Sequence, residues 1–266
     1  MRPFLTYIWI LFVALSSVYA QERPSFMDAR CEQFSTDIQG NLYLWNGSSI
    51  DQYGYEKQEH FFINHYSNPI YGQITSVDAS IPTKIMVFYK EAGTILFLDH
   101  KLTAISKPLS LFDKGFNSIS LVAVIGPDRL VLYDESNMLL HIVDYELNSI
   151  RTTHCNFFKD FYPHTIVTDL DQKILLIDNE NGICFFDKFG TFEKKIRVQG
   201  ISSAQIYNHE LFYLSNASIW KIGLALGTPS YWTSTSAETQ YFQRTSACLY
   251  TLTPDNQIEI TYIDIL

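Results

Sequence analysis

One layout recurs along this chain at a nearly constant interval: an apolar run, a short turn rich in Gly or Asn, a second apolar run, and then an aspartate. Residues 85–89 (IMVFY) lead through Glu91-Ala92-Gly93 to residues 94–98 (TILFL) and Asp99. Residues 129–133 (RLVLY) lead through Glu135-Ser136-Asn137 to residues 138–143 (MLLHIV) and Asp144. Residues 173–177 (KILLI) lead through Asn179-Glu180-Asn181-Gly182 to residues 183–186 (ICFF) and Asp187. The three aspartates stand 45 and 43 residues apart. Short β-branched and aromatic runs bounded by turn residues are strand signals, so the repeated unit is a two-strand hairpin.

Fainter copies flank these three: residues 41–45 with 49–53, residues 211–214 with 218–222, and residues 248–252 with 257–263. Six copies at a period of about 40 residues are the pattern of propeller blades. A lone four-stranded blade cannot bury both of its faces, so blades stack around an axis, and the first and last must meet if no strand edge is to stay open. The last copy runs out of chain early while residues 29–36 precede the first, which predicts that an N-terminal strand completes the final blade. The expected fold is all-β: a single β-propeller of about six blades over residues 21–266. Five or seven blades stay open, because residues 51–80 and 224–246 do not parse into the repeat. A β-sandwich or an eight-stranded barrel would not require this period.

The N-terminus sets the compartment. Arg2, a nearly unbroken apolar run over residues 4–15, and small Val18 and Ala20 just before Gln21 form the layout of a cleaved signal peptide over residues 1–20. That run falls short of the roughly 20 apolar residues a spanning helix needs, and no later segment reaches that length. The formal net charge is −9, and loss of Arg2 would deepen it by one. An acidic chain repels phosphate backbones and offers no polybasic stretch to anionic lipid, so neither nucleic acid nor, after signal cleavage, a membrane span is expected. Four cysteines, Cys31, Cys155, Cys184 and Cys248, allow three pairings in an oxidising compartment; Cys184, inside an apolar run, reads at least as readily as a buried thiol.

Residues 75–90 (TSVDASIPTKIMVFYK), 94–102 (TILFLDHKL) and 181–191 (NGICFFDKFGT) resemble segments of an uncharacterised family of secreted propeller-like proteins of Bacteroidota. The resemblance implies a propeller in the envelope of a two-membrane bacterium. It implies no catalytic residue and places no partner on the chain.

Motifs that carry chemistry are scarce. There is no G-x-S-x-G elbow, Walker loop or strand-linked G-x-G-x-x-G. None of the seven histidines stands at metal-ligand spacing from another, so no metal and no cofactor is expected. Asp169-Leu-Asp171 and Asp178-Asn-Glu180 lack the glycine and distal acid of a calcium loop and fit turn caps better. Asp99, Asp144 and Asp187 recur once per unit, which suits a turn device, since an active site is built once.

One stretch breaks the repeat. Between Asp51 and Gly72 the chain gathers aromatics and histidines among polar residues, and Tyr53, Tyr55, His60, His65 and Tyr66 are its candidate ligand-binding residues. Flat apolar area with a polar tip suits protein or glycan recognition; the plainer reading is aromatics filling the space between blades. Tyr231 and Trp232 are a lesser candidate of the same kind. The functional expectation is a non-enzymatic protein-binding or scaffold propeller, periplasmic or outer-membrane-associated, with an envelope protein or complex as partner. The alternative is a hydrolase or lyase acting on glycan or peptide at the mouth of the channel.

Overall fold

The runs that define the repeat are apolar throughout because both faces of each are covered. In strand β7 (Ile85–Tyr89) every residue is buried, and alternate side chains go to opposite neighbours. Ile85, Val87 and Tyr89 pack with Tyr43, Trp45 and Ile50 on one side. Met86 and Phe88 pack with Val122, Val124 and Leu130 on the other. A strand whose side chains alternate between two cores loses the polar half of the usual pattern.

A computed structural model describes residues 25–57, 59–155, 160–169, 173–225 and 227–263. The expected signal segment over residues 1–20 lies outside the described residues. The chain forms six antiparallel four-stranded sheets. The first blade holds β2 (Gln33–Thr36), β3 (Leu42–Asn46), β4 (Ser49–Glu56) and β5 (Glu59–Ser67). The second holds β6 (Ser76–Asp78), β7, β8 (Thr94–Leu98) and β9 (Leu109–Ser110). The third holds β10 (Ile119–Ile125), β11 (Arg129–Asp134), β12 (Leu139–Asp144) and β13 (Ser149–His154). The fourth holds β14 (Thr165–Thr168), β15 (Ile174–Asp178), β16 (Gly182–Phe186) and β17 (Phe192–Ile196). The fifth holds β18 (Ile201–Tyr207), β19 (Glu210–Ser215), β20 (Ser218–Gly223) and β21 (Ser230–Ser234). The sixth joins β22 (Tyr241–Arg244), β23 (Cys248–Leu252) and β24 (Gln257–Tyr262) to β1 (Ser25–Arg30) from the start of the chain. This is the six-bladed β-propeller that the repeat predicts. All six hairpins read from the sequence are the two middle strands of a blade.

The ring is closed by β1, which runs antiparallel to β24 with Ser25 opposite Ile260 and Arg30 opposite Gln257. The closing strand begins earlier than the expected 29–36 segment, and Gln33–Thr36 is the inner strand of the first blade instead. Neighbouring inner strands touch all the way round, β2 to β6, β10, β14, β18, β22 and back to β2. Six separate apolar clusters fill the six spaces between blades. All four cysteines are buried free thiols: Cys155 and Cys184 in the cluster between the third and fourth blades, Cys31 and Cys248 in the cluster that closes the ring.

The recurrent aspartates build one kind of turn. Asp99 Oδ1 accepts from the amides of Lys101 and Thr103, at 2.8 and 2.9 Å. Asp144 Oδ1 does the same for Glu146 and Asn148, and Asp187 Oδ1 for Phe189 and Thr191. Each turn links the third strand of its blade to the fourth. The bonds from Asn148 hold the Asp144 carboxyl below the usual range, because they favour the charged form. Asp37 makes a fourth copy that the interval did not reveal, because it sits between β2 and β3, accepting from Gln39 and Asn41. The fourth residue of each turn has positive φ: Gly40 and Gly190 in two copies, Leu102 at 57° and Leu147 at 62° in the others. Both leucines are buried, which offsets the cost of a left-handed conformation for a branched side chain. Asp178 likewise caps its turn, accepting from the Glu180 and Asn181 amides; Asp171 lies outside the described residues.

Candidate functional site

The candidate residues sit on one hairpin, and it overhangs its blade. Strands β4 and β5 have 8 and 9 residues, whereas β2 and β3 have 4 and 5. A bulge opposite Gln52 and Tyr53 lets the pair twist away past the blade edge.

The overhang sends the candidate side chains to different places. Tyr53 and Tyr55 lean on the cluster between the first and sixth blades. His60 joins them there: its Nε2 lies 3.0 Å from the Tyr250 hydroxyl, and its ring centroid 5.0 Å from that of Tyr55. Tyr66 turns the other way, with its hydroxyl 3.0 Å from that of Tyr89 in the second blade. His65 stays at the surface, its Nδ1 2.6 Å from Asp51 Oδ1 across the strand pair. Tyr53, Tyr55 and His60 are thus brought together, while His65 and Tyr66 are not part of that group. Of the lesser pair, Trp232 packs over the Arg244 guanidinium, and Tyr231 is exposed.

What the hairpin offers outward is Phe61, Phe62 and Ile63, which are 48 %, 55 % and 38 % exposed. Phe62 stands edge-on to Tyr53 with centroids 5.8 Å apart. Phe61 and Ile63 lie over Gly54, where a Cβ would come within 2.6 Å of the Phe61 ring, so the missing side chain makes room for both. Sequence reasoning singled out the tyrosines and histidines for their polar tips. Phe61 and Phe62 belong to the same aromatic stretch, but without polar tips they were not among the candidates.

Burial lowers the pKa of His60, and the same cause lowers those of His141 and His164. An unfolded histidine titrates near 6.5, so below that pH the unfolded chain binds protons that the folded chain refuses. Stability is therefore full above about pH 6.5 and is lost as pH falls toward the folded values. A thermal melt should move to lower temperature between about pH 7.5 and 5.5, and His60→Gln should remove part of that slope. A melting temperature that is flat or rises over this interval would refute it.

A second feature lies on the axis. The six inner strands enclose a channel with a cavity volume of about 400 Å³. Their unpaired edges are stitched across blades by side chains. Asp78 Oδ2 accepts from the Val124 amide at 2.9 Å, and Thr168 Oγ1 donates to the Val124 carbonyl. Gln205 bonds both the amide and the carbonyl of Arg244, and the Ser203 hydroxyl lies against both backbone groups of Phe242. Ser203 faces Phe242 and Gln205 faces Arg244, so β18 and β22 run parallel. Asp78, His164 and Tyr241 are the ionisable residues of the lining among the described residues, with neither Lys nor Arg beside them. Both Asp78 oxygens are engaged, the other by the Ser80 amide at 3.0 Å. Among the described residues, no three of His, Cys, Asp and Glu form a group suited to a metal ion, and no helix is long and apolar enough to cross a membrane.

No known family pattern matches the chain, and no curated protein matches it in sequence. Solved structures match it in shape. Virginiamycin B lyase from Staphylococcus aureus aligns with a TM-score of 0.61 at 14 % identity, over 92 % of this chain and 90 % of that one. BBS1N, solved in complex with ARL6DN, aligns with a TM-score of 0.57 at 17 % identity, over 85 % and 75 %. PorZ, a surface component of the type-IX secretion system of Porphyromonas gingivalis, aligns with a TM-score of 0.53 at 12 % identity, over 90 % of this chain and 34 % of that one. At these identities the likeness is one of fold, and that fold serves a lyase as well as propellers that assemble with other proteins.

Proposed function

We propose that this chain is a protein-docking propeller of the bacterial envelope, with strand β5 as its contact surface. The observation that carries the reading is the row Phe61-Phe62-Ile63, exposed on a nine-residue outer strand. An outer strand presents backbone groups that an extended segment of another chain can pair with, and flanking apolar side chains give such a strand addition its grip. The hydrogen-bonded His65 and Asp51, with the polar Glu59 and Asn64, rim the apolar row. The partner is accordingly a protein with an extended apolar segment, met after export through the signal segment. That BBS1N was solved with a protein bound and that PorZ belongs to a surface secretion apparatus support this reading by analogy of fold. The hydrolase or lyase reading draws on the shape shared with virginiamycin B lyase, but Asp78 would have to give up two backbone hydrogen bonds to serve as a base.

Placing a photo-crosslinking residue at position 62 in the producing cell tests the proposal. One adduct of defined mass is expected, absent when the crosslinker sits at Lys188 in the fourth blade. Phe62→Asp should weaken capture of that partner about tenfold, as loss of an interface anchor does. Equal crosslinking from both positions, or none from either, would overturn the assignment.

A further inference from the structure

The channel carries a ring of polar side chains that the docking surface does not use. Gln33, Ser76, Ser120, Thr165, Ser202 and Tyr241 line it, one from each inner strand and each at the first or second position of its strand. The inner strands share one direction, so these six gather at one mouth. Ser120 is only 8 % exposed, yet its Oγ has no hydrogen-bond partner among the described residues. The Ser80 hydroxyl, also in the lining, is a second buried group without a partner among the described residues. A buried hydroxyl without a partner is costly, and a ligand or solvent at the site removes that penalty. Behind the ring the lining carries further polar groups, Ser35, Thr168, Gln205 and Gln243 among them.

We infer that this mouth binds an uncharged polyhydroxylated ligand of saccharide type. Hydroxyls and amides both donate and accept, which matches a ligand whose own groups are hydroxyls. Among the described residues the one carboxylate of the lining is already engaged, and no Lys or Arg lines it to hold an anion. His164 stands exposed at the mouth, and desolvation lowers its pKa from the usual 6.5, so it is neutral at pH 7. The volume falls within the roughly 300–1,000 Å³ of small-molecule sites.

Isothermal titration calorimetry of the purified protein with glucose, N-acetylglucosamine, maltose and chitobiose tests this. At least one should bind saturably, with an affinity unchanged by added sodium chloride, because no charge takes part. Ser202 is exposed at the mouth, so Ser202→Trp should leave the melting temperature in place and weaken binding more than tenfold by occlusion. Ser120→Ala should weaken it about fivefold through one lost hydrogen bond. If Ser202→Trp does not fold, Gln33→Trp occludes the same mouth from another blade. No saturable binding up to about 10 mM would leave the channel to solvent and overturn the inference, as would binding that survives both tryptophans or prefers glucuronate. Phe62→Asp, which removes the docking surface, should bind sugar as the unaltered chain does, so the two readings fail separately.

Discussion

Replacing Gly182 with alanine is expected to lower stability by about 3–5 kcal/mol, a large part of the 5–15 kcal/mol that holds a typical domain folded. Gly182 opens β16 with φ of +92°, and a Cβ there would collide with the Ile196 carbonyl and lie 2.8 Å from the Val198 amide nitrogen. Both obstacles are backbone, so no rotamer change relieves them. The substitution therefore adds overpacking to the strain of a left-handed conformation. Gly115 supplies the contrast, since its φ is +84° but nothing lies within 4 Å of the added carbon. Gly115→Ala should cost about 1–2 kcal/mol, from the dihedral alone. Equal denaturation midpoints for the two variants in urea would show that the fourth blade yields at this point and would refute the argument.

Shortening the chain to begin at Cys31 should lower the melting temperature by about 10–15 °C, from roughly 4 kcal/mol of lost pairing and apolar contact. The segment removed contains β1, whose ladder with β24 seals the sixth blade and whose Met27 and Ala29 pack on the closing cluster. Its loss also bares β24 along its length, so association that grows with concentration is expected beside the lower melt. A peptide of residues 21–30 added in trans should restore part of the melting temperature by taking the empty place. A shift of less than about 2 °C, measured by scanning calorimetry, would mean that the ring holds without its clasp.

How much of this was legible in the sequence follows from which strands face what. The middle strands of each blade bury both faces, so residues such as Ile85–Tyr89 and Gly182–Phe186 announce themselves as apolar runs. The inner strands border a polar channel, so Ser76–Asp78 and Thr165–Thr168 carry mixed, short patterns that no periodicity picks out. The outer strands are half exposed, and Leu109–Ser110 is two residues long. The repeated aspartates were legible as turn caps because a hairpin of fixed shape demands the same acceptor each time. The polar ring was not: each of its members is an ordinary Ser, Thr, Gln or Tyr, and only closure of the ring brings them to one mouth. The tyrosines and histidines of the overhanging hairpin were found by residue type. Which of them turn inward toward Tyr250 or Tyr89 depended on blades nearly 200 residues apart in one case, since His60 and Tyr250 are 190 positions apart.

The clasp between β1 and β24 also sets an order in time. Residues 25 and 260 are neighbours in the finished ring, so almost the whole chain must be present before the sixth blade can be completed. Each of the other five blades is made of consecutive strands and can form as it is made, by local hairpins that close quickly. The last event joins the two most distant parts of the chain, and contacts of that separation are slow to find. Until it happens, β1 waits without its partner and the edge of β24 stays open. The same pairing that gives the ring its permanence thus also decides when folding is finished.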